Sequence, residues 1–313
     1  MEKVRRVLVS VCRDGVAPQN VPFLQSVTGH FGAADQVKVR CWLERNRLMV
    51  LKDDTDRGVP LKRAASCPIK HLSAEDAAAI PLDIQQRGVD VGVAIILQTA
   101  NERVLLTRRA TQLRIFPNVW VPPGGHVEPD ETLLVAGLRE LKEETGLYLE
   151  AEQFPSPKVL GVWESVYPSR LSAGLPHRHH LVIYLLLRSS RTHLQLQDCL
   201  RPSPAEVSAC LWADVRLVGA VVSATDGHDG EVHADRLPAA IRVSEVCPEG
   251  GLRDATLPLS VLVSRIPSSG PDVERVSTGT KFALDLWLKT TKETTSDPHP
   301  CQTNDDVTDQ HVK

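Results

Sequence analysis

One segment constrains this chain more than any other. Gly125 is followed after five residues by Glu131, and after seven more by Arg139-Glu140-Leu141-Lys142-Glu143-Glu144-Thr145-Gly146-Leu147. Pro129 suits the first turn of a helix, where its missing N–H costs nothing, and Asp130 and Glu131 suit the positive end of the helix dipole. Gly146 suits a helix stop, so the segment predicts a helix from about Pro129 to Thr145. At about 100° per residue, Glu143 lies about 60° to one side of Glu140 and Glu144 about 40° to the other. Carboxylates at spacings of three and four repel by a few tenths of a kcal/mol per pair, even on an exposed helix.

A lone Glu-Glu pair on a helix is ordinarily a solvated surface, but the full set is not explained that way. A face shaped only for stability would alternate its charges, so this one is expected to hold a cation. Hard divalent cations take carboxylate oxygens, and Mg²⁺ favours one or two carboxylates together with phosphate oxygens and water. Glu140, Glu143 and Glu144 are therefore candidate ligands. The Gly124-Gly125 turn allows a close approach of backbone, making Gly124 a further candidate through its carbonyl. Arg139 can pair with Glu143 and orient its neighbours. Gly137 in mid-helix costs ~1 kcal/mol against alanine, which a close contact on that side would explain.

Around this segment the pattern is α/β (α+β). Val89–Leu97 reads as a buried strand, Thr99-Ala100-Asn101-Glu102 as a turn and Arg103–Thr107 as its hairpin partner. Val119–Val121, Val159–Val166, His180–Leu187 and Ala209–Trp212 are further strand candidates. The 313 residues divide by composition into four parts. Residues 1–87 form an N-terminal extension or small domain, with strands at Val7–Val11, Val37–Leu43 and Arg47–Leu51 and a short helix at His71–Ala79. Residues 88–222 form the regular domain. Residues 223–288 form a C-terminal extension, with a possible strand at Pro258–Ile266 and an amphipathic helix within Asp272–Leu288. Residues 289–313 are almost wholly polar and read as a disordered tail.

Gly125–Leu147 resembles the signature of the Nudix hydrolases at every defining position. The resemblance extends over the flanking hairpin, the Pro-Gly-Gly turn and the Glu206–Trp212 stretch, roughly residues 88–222. It implies a Nudix fold, a mixed β-sheet sandwiched between helices, and hydrolysis of a diphosphate bond in a nucleoside diphosphate linked to another group. By position it makes Glu140 and Glu144 the principal ligands of Mg²⁺ or Mn²⁺, with Glu143 a further ligand. Glu131 and Arg139 then hold loop and helix together, and Glu140, Glu143, Glu144 and Arg139 form the catalytic set. The general base stays open between Glu164 and Glu206.

The substrate is less constrained. Arg103, Arg108, Arg109 and Arg114 lead towards the carboxylate segment, and arginine forks match phosphate oxygens, so Arg108, Arg109 and Arg114 are candidate substrate-binding residues. A charged hairpin surface is the plainer alternative. Trp120 could stack on a base, although a core position suits it better. Leu105–Arg114 partly resembles the motif of coenzyme A diphosphatases, but Ile115-Phe116-Pro117-Asn118-Val119-Trp120 breaks from it. The whole chain is more similar to family members that act on capped RNA, which implies release of m7GDP from m7GpppN-mRNA. Residues 1–70 carry 13 Lys and Arg against 7 Asp and Glu, and the remainder 23 against 32. A basic front end is compatible with an RNA tail. Coenzyme A or nucleotide-sugar hydrolysis, and a non-catalytic nucleotide-sensing module, remain alternatives. A sensor would be expected to lose the mutually repelling glutamates, and all are present.

His177-Arg178-His179-His180 has no Cys or Asp/Glu partner at ligand spacing and reads as a loop entering a strand. Seven scattered cysteines without a CxxC pair fit reduced thiols. No apolar run approaches the ~20 residues of a membrane span, and Met1–Cys12 lacks the form of a secretory signal. The expectation is an intracellular, cytoplasmic protein, with a nucleotide-type diphosphate substrate, capped RNA as a candidate, no membrane and no obligate protein partner.

Overall fold

Two faces of one strand organise the molecule. In Asp90–Gln98, Val91, Val93, Ile95 and Leu97 join one apolar cluster, whereas Ala94 and Ile96 join another. Successive side chains of a strand point to opposite faces, so this strand is covered on both sides. Arg178–Arg188 repeats the pattern, with Leu181, Ile183, Leu185 and Leu187 on the first side and Tyr184 and Leu186 on the second. The structure is a computed structural model, and it describes residues 6–296 except 14, 33–34, 228–230, 233, 235–236 and 271.

The first strands are β1 (Leu8–Arg13), β2 (Val16–Asn20), β3 (Gln36–Glu44), β4 (Arg47–Lys52) and β5 (Val59–Arg63). Among them lie α1 (Val27–His30), α2 (Pro68–His71), α3 (Ala74–Ala79) and α4 (Leu82–Gln85). The centre contributes β6 (Asp90–Gln98), β7 (Arg103–Arg109), β8 (Val119–Val121), β9 (Gly124–His126) and α5 (Leu133–Thr145). It continues with β10 (Lys158–Tyr167), β11 (Arg178–Arg188), α6 (His193–Gln197), β12 (Val207–Asp214) and α7 (Val215–Ser223). The chain ends in β13 (Ala240–Val246), β14 (Leu252–Pro258), α8 (Leu259–Leu262), β15 (Arg275–Val276) and α9 (Thr278–Ser296).

Strands run in the order β14-β13-β12-β7-β6-β11-β10-β5-β3-β4-β1-β2, and β1 also meets β6 through Leu8 and Asp90. The sheet is mixed: β6 runs parallel to β11 and β5 to β10, while β10 and β11 are antiparallel. α5 packs Ala136, Leu138 and Leu141 onto the first side, where Val9, Val39, Leu48, Val50 and Leu61 of the early strands also lie. α7 and α9 cover the second side with Leu217, Val218, Val221, Ala283, Leu284 and Trp287. α9 is anchored from below, because buried Lys281 donates to Asp226 Oδ1 (3.0 Å) and to the carbonyl of Ala224 (2.7 Å).

The helix of the carboxylate segment starts later than its sequence suggests. Thr132 is the N-cap, its hydroxyl accepting from Val135 N–H, so Pro129 and Glu131 lie in the preceding loop and Asp130 takes a positive φ of 67°. A capping hydroxyl satisfies a free N–H that Pro129 could not, and it frees Glu131 to fold back on the helix. Gly146 ends the helix at φ 72°, as expected of a glycine stop. Pro258–Ile266 is not a strand: Leu259–Leu262 makes one helical turn, and the strands missed in sequence are β2, β5, β9, β13, β14 and β15. Lys289–Ser296 continues α9 instead of beginning a tail, and residues 297–313 lie outside the described residues.

Candidate active site

Gly124 and Gly125 on β9 lie between β6 and α5, where a Cβ on either would press on a neighbour. A Cβ on Gly124 would stand 2.2 Å from the carbonyl oxygen of Val93, and one on Gly125 would stand 2.4 Å from the Glu140 carboxylate. α5 makes a similar approach, since a Cβ on Gly137 would meet Ile95 Cδ1 at 2.4 Å. This close contact accounts for a glycine in mid-helix. Glu140 and Glu144, one turn apart on α5, both line a cavity of about 400 Å³ that Gly124, Gly125 and Arg109 also line.

Arg139 ties the loop to the helix. It donates to Glu131 through Nε (2.7 Å) and Nη2 (3.0 Å), to Glu140 through Nη1 (2.9 Å) and to Glu143 through Nη1 (3.2 Å). Nη2 also reaches the carbonyl of His126 at 2.9 Å. This bidentate pairing holds the Glu131 carboxyl below the usual range. Glu143 stays exposed and outside the cavity lining.

Glu144 is 5% exposed and accepts one hydrogen bond, a 3.3 Å contact from Gly124 N–H. Burial pushes its carboxyl up to about 8; Arg109 opposes this, while Glu140 and Glu206 add to it. Burial likewise raises Glu140, against the pull of Arg139. A buried carboxylate, a half-buried one and a nearby third, held together without enough cationic partners, form a donor set suited to a hard divalent cation. The residues therefore fit such a metal.

The arginines separate. Arg109 lines the cavity and donates from Nε to the carbonyl of Ile115 (3.2 Å). Arg108, expected beside the substrate, is instead directed at the C-terminal extension. Its Nε donates to Ser208 (2.8 Å) and Nη1 to Glu274 (3.1 Å), and it stacks on Trp120. Arg114 is exposed and does not line the cavity. Trp120 is buried, its Nε1 donating to Glu274 at 3.0 Å, which makes it a core residue.

Glu164 also lines the cavity, but its carboxylate is already engaged. Its fully buried carboxylate accepts from the N–H groups of Val27 and Thr28, the hydroxyls of Ser26 and Thr28, and His179 Nε2. Burial pushes its carboxyl up, but His179 and the amides outweigh this and hold it down to about 2. Glu206 is exposed, lines the cavity and faces Glu140 and Glu144. Both extensions contribute walls, for which no local sequence pattern is a signal. Ala64, Cys67 and Pro68 come from the N-terminal side, and Ile266, Arg275 and Gly279 from the C-terminal side. Arg275 is buried and paired with Asp272 at 3.2 Å, a partner only three residues away that could have been noticed. No helix among the described residues is long and apolar enough to cross a membrane.

Residues 88–234 match the NUDIX domain. The chain is 60% identical over 294 residues to the m7GpppN-mRNA hydrolase NUDT17 of Danio rerio, covering 93% of this chain and 97% of that protein. The protein of the same name from Xenopus laevis is 47% identical over 293 residues, covering 92% and 96%. That from Homo sapiens is 45% identical over 296 residues, covering 91% and 88%.

Proposed function

The chain belongs to the NUDIX family as a Nudix hydrolase, and from that premise we propose that it hydrolyses the m7GpppN cap of mRNA and releases m7GDP. The observation that carries the reaction type is the pair of half-buried Glu140 and buried Glu144, together on one wall of the cavity with Glu206 close by. Nudix hydrolases work with a divalent metal, and the reading here is Mg²⁺ or Mn²⁺. Glu140 and Glu144 would hold it, with Glu143 a further ligand and the Gly124 carbonyl available beside them. When bound, the ion neutralises phosphate charge and acidifies a water for attack at phosphorus.

The protein's own groups then have distinct tasks. Arg139 fixes Glu140 and the Glu131 loop, so the carboxylates meet the substrate already oriented. Arg109 meets diphosphate oxygens in the cavity, and Glu206 accepts the proton of the attacking water. The apolar part of the cavity, with Trp163, Val182 and Ile266, excludes bulk water from the diphosphate. The capped-RNA substrate rests on the names of the relatives and on the basic balance of residues 1–70.

A product assay tests the reading. Purified protein with Mg²⁺ or Mn²⁺ is offered methyl-capped RNA, coenzyme A, ADP-ribose and a dinucleoside polyphosphate. Preferential release of m7GDP supports cap hydrolysis. Preference for coenzyme A would overturn the substrate, and silence on every compound would overturn catalysis in favour of a sensor.

A further inference from the structure

Strand pairing gathers three metal-binding side chains that the sequence keeps far apart. β11 pairs with β6 so that His180 lies opposite Asp90, and β9 pairs with β6 so that His126 lies opposite Gly92. Asp90 and Gly92 are two residues apart on one strand, so the three side chains share one face of the sheet. His126 Nε2 and His180 Nε2 stand 3.2 Å apart, and with an Asp90 oxygen all three ligand atoms fall within 4.8 Å of one another. Two nitrogens bound about 2.0–2.1 Å from one tetrahedral zinc stand about 3.3 Å apart. The imidazole pair already has that spacing.

The geometry points to a second metal site at Asp90, His126 and His180, selective for a borderline divalent transition metal such as Zn²⁺. Its donors are two imidazoles and one carboxylate, a set that suits zinc, cobalt or nickel better than Mg²⁺. It differs in this from the all-oxygen cluster on α5. Three protein ligands leave a fourth position open, the arrangement of a site that binds water or substrate. His126 and His180 both line the cavity that holds Glu140 and Glu144, so this position opens towards the same space.

Three cations must be reconciled with a metal there. Arg6 Nη1 donates to both oxygens of Asp90, at 2.7 and 3.0 Å, and Arg178 and Arg87 are also near enough to act on it. Each carboxylate oxygen has a second lone pair, so Asp90 can ligate while still paired. The positive surroundings favour an anion in the open position, and a phosphate oxygen is such a ligand.

Co²⁺ titration of the full chain in excess Mg²⁺ tests this site apart from hydrolysis. The expected result is an intense four-coordinate visible band that saturates at one equivalent, is displaced by Zn²⁺ and survives Mg²⁺. His180→Ala should weaken Co²⁺ binding by about tenfold or more. His126 is exposed, so His126→Ala keeps its circular dichroism and should weaken binding as much. Absence of the band in the wild-type protein, or an undiminished band in folded His126→Ala, would overturn the site.

Discussion

Gly125 and the carboxylate of Glu140 touch so closely that a Cβ on the glycine would stand 2.4 Å from the carboxylate carbon of the glutamate. A glycine in β9 thus sets the position of a charged group on α5. The obstructing atoms are the far end of a flexible side chain, so a methyl group would move Glu140 rather than the backbone. Gly125→Ala is expected to fold, to keep its melting temperature within a few degrees, and to lose about 10²-fold in kcat. Turnover rates beside thermal denaturation check this, and a fully active Gly125→Ala would separate Glu140 from the chemistry.

As the proposed metal ligand, Glu144 would link metal binding to pH. Its carboxyl is raised to about 8 from an ordinary 4.5, so between these values the metal-free fold holds a proton that the unfolded chain releases. Stability without metal should fall as pH rises through that window, by at most about 1.4 kcal/mol for each pH unit. Urea unfolding in a chelator should show this slope in the wild type and lose it in Glu144→Gln. Divalent metal needs the ionised form, so its affinity should climb with pH over the same range.

Glu164 makes the opposite prediction. Held down to about 2, it contributes stability that is complete above 4.5 and lost as pH falls through 2. Glu164→Gln would turn an amide NH₂ or a weaker acceptor towards the N–H groups of Val27 and Thr28, at a cost of about 2–4 kcal/mol. Denaturant unfolding measures that loss. Activity per folded molecule should stay at the wild-type level.

The neighbouring arginines should part in the same way. Arg109→Ala is expected to lower kcat/KM by about tenfold to a hundredfold through lost phosphate contacts. Arg108→Ala should leave kcat/KM within about twofold and lower stability by about 1–3 kcal/mol, since it frees Glu274 and uncovers Trp120. Paired kinetics and melting curves on the two variants decide the assignment.

What was legible in the sequence was local. The carboxylate face of α5 follows from spacing within two turns, and β6 and β11 from their apolar runs. The start of α5 is ambiguous in sequence because Pro129 and Thr132 both suit a helix start, and only the loop's return to Arg139 selects the threonine. β13 and β14 pass unnoticed because their burial is shallow and their apolar pattern weak. Long-range pairings left no trace at all. Glu164 meets α1 across more than a hundred residues, and His180 meets His126 only through the order of the strands. The run His177–His180 does enter a strand, β11, as its pattern suggests, while the approach of His180 to His126 and Asp90 has no local signal because those partners are remote in sequence.

In the proposed reaction Glu144 on α5 carries metal-dependent hydrolysis of a capped diphosphate. Release of m7GDP from methyl-capped RNA by Glu144→Gln, compared with wild type at saturating Mn²⁺ and equal folded concentration, tests it most directly. A fall of at least about 10²-fold with circular dichroism unchanged is expected. Wild-type turnover by the folded variant would contradict it.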